Sequence, residues 1–221
     1  MNAADVFLTL RSVVRVLGDS NRTADIHTVE EVTGRSIYRR LVDEYLATNE
    51  GRELLAVRPE LCKEQVDYDA LRRLPKGTLG QAYVAHLDDN NITADLQALP
   101  TTHIDDPDVS YLMRRFRQTH DVWHPLTGLS TLPHHEVIIH AFSWGQLRLP
   151  VSALVVVFGS LKHVVLERRW EVLRRGLLEA YEHGRDAAPL LPVFWEKQWT
   201  RPLDEVRARY GISPCTPALI N

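Results

Sequence analysis

The chain has 221 residues, 44% of them hydrophobic and 25% charged, long and apolar enough to bury a substantial core and too ordered in composition for a disordered segment. A formal net charge of −3 gives no pull toward nucleic acid, which excludes that class of partner. Two cysteines, Cys62 and Cys215, are too few for a disulfide framework and fit a reducing compartment.

The amino terminus lacks the charged-then-apolar layout of a secretory signal. Helical spacing of apolar residues predicts helices near residues 4–17 and 36–47, with Ser20 and Thr33 as caps or turn residues. The most apolar run covers residues 149–161, too short for the roughly 20 residues that span a bilayer. It reads as a buried helix, or as one wall of a channel for an apolar ligand. After it, Leu166, Trp170, Leu173, Leu177 and Tyr181 form one stripe, with Arg168, Arg169, Arg174 and Arg175 beside it. Alternating β-branched runs are nearly absent, and Pro75, Pro100, Pro107, Pro125, Pro133, Pro150, Pro189 and Pro192 punctuate the chain. With no repeat and no dividing linker, the expected fold is all-α: a single-domain, irregular helical bundle over residues 1–221.

Five of the ten histidines fall between residues 120 and 140: His120, His124, His134, His135 and His140. Residues four apart share a helix face, so His120 and His124 can present imidazoles to one ion, with Asp121 on an adjoining strip. Glu136 follows His124 after eleven residues, and a turn between them brings its carboxylate back to the pair. Two imidazoles with one or two carboxylates suit zinc, iron or manganese better than calcium. The plainer alternative is a pair of histidines on a polar helix face, binding nothing. Pro125 disfavours helical geometry in the residue before it, so the helix is expected to end or kink at His124, with Gly128 in the following turn. Arg114, Arg115 and Arg117 can pair with a substrate carboxylate or phosphate, or with acids of the protein itself. Trp144, Phe142 and Phe158 can line an apolar channel or simply pack in the core. Gly77 and Gly80 after Leu74-Pro75 shape a turn or a loop over a head group.

At His120-Asp121-x-x-His124, eleven residues and then Glu136, the sequence resembles the coenzyme Q (ubiquinone) biosynthesis family here written Coq-four. The likeness extends to Gly51-Arg-Glu-Leu-Leu-Ala-Val-Arg-Pro59, Leu74-Pro-Lys-Gly-Thr-Leu-Gly-Gln-Ala-Tyr83, Arg115-Phe-Arg117 with Thr119, and residues 146–159. It covers roughly residues 5–200. The resemblance implies a helical fold, an apolar cavity for an isoprenoid tail, and a divalent metal, zinc or iron, held by His120, Asp121, His124 and Glu136. It implies a role at ring carbon one of a prenylated 4-hydroxybenzoate-type precursor, where a carboxyl group gives way to a hydroxyl. Asp121 and Glu136 are then the catalytic candidates, Asp121 as ligand, as partner of an imidazole or as base. Arg115, Arg117, Trp144 and Phe158 are the substrate-contact candidates. His134 and His135, just before Glu136, offer alternative ligands.

The partners implied are a prenylated quinone precursor or isoprenoid lipid, other quinone-biosynthesis enzymes, a membrane met peripherally, and a second copy of the chain. The chain starts at the family domain without an Arg-rich extension, from which a cytoplasmic location is expected, peripheral on the inner face of the cell membrane. Two further readings stand beside this one. The first is a non-catalytic scaffold that holds quinone precursors and organises an enzyme complex. The second is a His-Asp phosphohydrolase that adds His86 and Asp186 to His120-Asp121. A zincin-like protease would need Glu at position 121 and is discounted.

Overall fold

A computed structural model describes residues 3–18, 22–93, 101–167 and 170–215. Among them are ten α-helices and no strand: α1 Ala3–Gly18, α2 Thr23–Leu46, α3 Asn49–Val57, α4 Tyr68–Arg72, α5 Leu79–Asp89, α6 Pro107–Thr127, α7 Pro133–Leu147, α8 Pro150–Glu167, α9 Trp170–Asp186 and α10 Leu203–Tyr210. The helix ends follow from local chemistry. Asp106 caps α6 by accepting from the backbone N–H groups of Asp108 and Val109, with Pro107 in the first turn where a missing N–H costs nothing. Thr48 caps α3 through Gly51 N–H. Gly128 closes α6 at φ +73°, a conformation that glycine adopts without strain.

Three expectations are corrected. Thr33 is no cap: it lies inside α2, where its hydroxyl donates to Val29 O at 2.7 Å, so the helix expected at 36–47 starts thirteen residues earlier. Of the stripe expected from 166 to 181, Leu173 is buried and Leu177 and Tyr181 pack against the core from α9, whereas Trp170 is 44% exposed. Ser20, Arg168, Arg169 and the side chain of Leu166 lie outside the described residues. The 149–161 run is only partly buried: Leu149 and Val151 are inside, whereas Val157 and Leu161 are 60% and 58% exposed. Such large exposed apolar side chains mark surface with a purpose beyond packing when they cluster.

α6 is the central helix, with Val109, Tyr111, Leu112, Met113, Val122 and Trp123 all essentially inaccessible. It packs against α2, α5 and α7. α7 in turn lies backbone-to-backbone on α9. A Cβ added at Gly184 would sit 2.1 Å from Phe142 O, and one at Gly145 would sit 2.4 Å from Tyr181 O. Gln146 locks this crossing, donating to Gly184 O and accepting from Leu190 N–H at 2.9 Å. Gly184→Ala should therefore force the helices apart and cost about 3 kcal/mol, lowering the melting temperature by roughly 10 °C. Thermal unfolding followed by circular dichroism checks this; an unchanged midpoint would contradict the close crossing.

Candidate metal centre

α6 does not stop at His124. It runs through Pro125 to Thr127, contrary to expectation, because its final carbonyls find partners elsewhere. Arg207 of α10 donates to Leu126 O at 2.9 Å and Pro125 O at 2.8 Å, and Cys215 N–H donates to Thr127 O at 2.8 Å. The last turn is thus capped from outside, which offsets the bond that Pro125 cannot make. The gain is positional: His120, Asp121 and His124 stay on one regular helix.

Opposite them, α7 starts at Pro133 and presents Glu136 in its first turn. Glu136 lies 3.7 Å from His120 Nε2 and 3.4 Å from His124 Nε2 through its two oxygens. The donor atoms of His120, His124 and Glu136 fall within 4.8 Å of one another. So do those of His86, Asp121 and His124. His124 belongs to both groups, and the four motif residues resolve into two overlapping triads rather than one compact set of four. His86 comes from α5, and sequence reasoning gave it a place only in the phosphohydrolase reading. Its signal was weak, since nothing local to residue 86 marks it as facing residue 124. His140, one turn beyond Glu136 on α7, brings its ring within 5.3 Å of His120. His134 and His135 join neither triad. His135 is buried and accepts from Ser130 N–H at 3.1 Å, holding the turn before α7.

The electrostatics fit a cation. His124, 1% exposed, pairs its Nδ1 with Leu129 O at 3.1 Å. A carbonyl only accepts, so Nδ1 carries the proton and Nε2 keeps its lone pair. That lone pair faces a carboxylate oxygen of Glu136, and two acceptors face each other without repulsion only when something positive lies between them. A proton on His124 serves poorly, because burial and the neighbouring His120 pull its pKa down to about 3. Burial also pulls His86 down to about 4 and His140 to about 3, so both are neutral at pH 7. On His120 the lowering by burial is outweighed by the hydrogen bond and charge of Glu136, leaving its pKa raised. Burial would lift the Glu136 carboxyl, but the His120 hydrogen bond and the surrounding imidazoles bring it to about 2. Neutral imidazoles and ionised carboxylates are the forms that bind a divalent ion.

The other candidates have different surroundings. Arg115 is fully buried and forms a two-pronged pair with Glu196 at 2.6 and 3.0 Å, while also donating to Pro59 O and Val193 O. Arg117 is 5% exposed and binds Glu30 at 2.8 Å and Glu31 at 2.9 Å. Both guanidinium groups are thus engaged with acids of the protein itself. Trp144 is 36% exposed and packs on Tyr181 of α9, and Phe158 is half-buried on α8. Among the described residues no helix is long and apolar enough to cross a membrane.

The fold and the two triads define an all-helical protein with a histidine–carboxylate centre between its central helices. A family model described as Coenzyme Q (ubiquinone) biosynthesis protein Coq4 matches residues 1–216, and the chain belongs to that family. Among its curated relatives, a mitochondrial ubiquinone biosynthesis protein COQ4 of Coprinopsis cinerea is 30% identical over 94% of this chain and 71% of its own length. The mitochondrial COQ4 homologue of Bos taurus is 32% identical over 94% of this chain and 78% of its own length. A crystal structure from Nostoc punctiforme shares the fold, with a TM-score of 0.70 over 92% of this chain and 96% of that one at 24% identity. The relatives carry the word mitochondrial in their names, so the comparisons lend no support to the expected cytoplasmic location.

Proposed function

We propose that this ubiquinone biosynthesis family member is a metal-dependent enzyme that replaces the ring carboxyl of a prenylated 4-hydroxybenzoate-type quinone precursor with a hydroxyl. The observation that carries the reading is the approach of His124 Nε2 to the Glu136 carboxylate at 3.4 Å while its Nδ1 pairs with Leu129 O, in a cluster where burial keeps His86, His124 and His140 neutral. His120, His124 and Glu136, with Asp121, would hold the ion, zinc or iron. When bound, it supplies Lewis acidity toward an oxygen of the substrate and, if iron, access to dioxygen chemistry. In the overall balance water would supply the hydroxyl oxygen, carbon dioxide would leave, and dioxygen would take the two electrons and two protons released as hydrogen peroxide.

The chain's own residues supply the rest. Leu129 O orients His124 through Nδ1, so the imidazole cannot turn away. Asp121, 5% exposed and grouped with His86 and His124, would take a proton from the ring hydroxyl of the substrate or orient the His124 imidazole. The isoprenoid tail would lie along α8 and α9, where Val157, Leu161, Trp170 and Leu178 are exposed. Arg115 and Arg117 are left out of the substrate contacts, since their forks are filled by Glu196, Glu30 and Glu31. A scaffold for other quinone-biosynthesis enzymes is the second reading, favoured by Phe7, Leu10 and Val14, which line an exposed apolar row on α1.

Asp121→Asn separates the two. The change keeps size and removes the charge that a base must have. In a strain lacking its own family member, it should cut quinone production about tenfold or more while the purified protein keeps its fold and still binds metal through His120, His124 and Glu136. Full rescue by Asp121→Asn would argue for the scaffold.

A further inference from the structure

His86 lies outside the His-Asp-x-x-His…Glu motif, yet its surroundings are those of a ligand. α5, which carries it, is pinned at its start by Leu79 N–H to Arg201 O and Gly80 N–H to Trp199 O, both at 2.9 Å. The approach is close enough that a Cβ at Gly80 would sit 2.8 Å from Leu74 Cδ1 and 2.9 Å from Trp199 Cβ. Tyr83, 1% exposed, stacks on Trp199 at 5.3 Å and 4°. His86 is three residues further along, on the same face of a helix that cannot rotate. Its Nε2 is buried and has no hydrogen-bond partner in the protein. A buried nitrogen left unsatisfied is destabilising, and a ligand bond would remove that penalty.

The ring positions fit one ion. Two imidazoles bound through nitrogen at about 2.1 Å and near right angles hold their centroids roughly 4.6 Å apart. The His86 and His124 centroids are 4.5 Å apart, and those of His120 and His124 are 5.1 Å apart. The His86 and His124 rings are inclined by 18°, so seating both on one ion calls for a turn of the His86 ring about its side-chain bonds. Its Nε2 gives up no other bond in making it. His124 Nδ1 is paired with Leu129 O, which leaves Nε2 as its one nitrogen for an ion, so His124 can serve only one.

We propose that His86 is a metal ligand of this protein, joining His120, His124 and Glu136 in one site of three imidazoles and a carboxylate drawn from α5, α6 and α7, with Asp121 beside it. The inference rests on the metal centre proposed above. A third imidazole favours borderline divalent ions such as zinc, cobalt and iron over magnesium or calcium. It also ties α5 to α6 through the ion.

The test uses full-length protein stripped of metal and titrated with cobalt(II) alone, whose visible absorption reports ligand number and type, and with zinc(II) against a chelator. His86→Phe keeps a flat ring against His124 and removes both nitrogens. It should weaken zinc binding about tenfold or more and change the cobalt(II) spectrum, with the helical circular dichroism retained. An unaltered spectrum and affinity, alongside loss of binding in His124→Ala, would overturn the role of His86 and leave the metal centre standing. Failure of the unmutated protein to bind either ion would overturn both. Should His86→Phe not fold, imidazole counting by X-ray absorption on the unmutated cobalt protein decides: three support the proposal and two overturn it.

Discussion

Protein carrying His124→Ala should purify, in the absence of chelator, with at least about a hundredfold weaker hold on its divalent ion than the unmutated chain. Loss of an outer-sphere partner alone commonly costs 10–100-fold, and His124 is the residue common to both donor triads. The substitution also removes the ring whose Nδ1 bonds to Leu129 O and against which His86 lies at 4.5 Å. Three donors lose their geometry at once, whereas His120→Ala leaves the His86, Asp121 and His124 group intact and should weaken binding less. Elemental analysis of the folded variants, followed by chelator competition, measures both. Undiminished metal in a folded His124→Ala protein would end the assignment of this site. The cavity left by an imidazole 1% exposed will lower stability as well, so unfolding midpoints must accompany the metal numbers.

The parts of this site visible in the sequence are those written in local spacing. His120 and His124 are one helical turn apart, and an eleven-residue connection with a glycine and two prolines has the turn residues to fold back, which it does in bringing Glu136 to them. Helical periodicity likewise located α1, and Pro107, Pro133 and Pro150 each open a helix. The remainder depends on contacts between residues far apart in the chain. Pro125 argued for a helix end because the partners that cap α6, Arg207 and Cys215, lie more than eighty residues further on. His86 faces His124 because Trp199 and Arg201 fix α5, again a distant contact. The Gly145–Gly184 crossing rests on two glycines that look like ordinary helix interruptions until the helices are packed. The exposure of Val157 and Leu161 on α8 has a related reason: an apolar run states that burial is favourable, not that the fold has enough neighbours to supply it.

Arg117 shows how packing decides between two local readings, and its removal should have the largest effect on stability. On sequence alone it belongs to a basic cluster beside the metal motif, suited to an anionic substrate or to acids of the protein itself. In the structure it reaches Glu30 at 2.8 Å and Glu31 at 2.9 Å, with all three side chains 3% exposed. Tyr38 donates to Glu30 at 2.7 Å, and the backbone N–H groups of Thr102 and His103 donate to Glu31, each at 2.9 Å. The network ties α2, α6 and the segment before α6 together. Burial pushes the Glu30 carboxyl up, and Arg117 draws it back toward the charged form. Arg117→Met fills a similar volume but leaves two buried carboxylates without their cation, which should cost about 3–5 kcal/mol and unfold much of the protein near 40 °C. Neutralising the acids at the same time, with Glu30→Gln and Glu31→Gln added to Arg117→Met, should recover most of that loss, because the penalty lies in the unpaired charges rather than in the missing arginine. Chemical denaturation of the single and triple variants gives both numbers. A single variant as stable as the unmutated chain, but with weakened binding of an anionic precursor, would return Arg117 to the substrate site and take it out of the core.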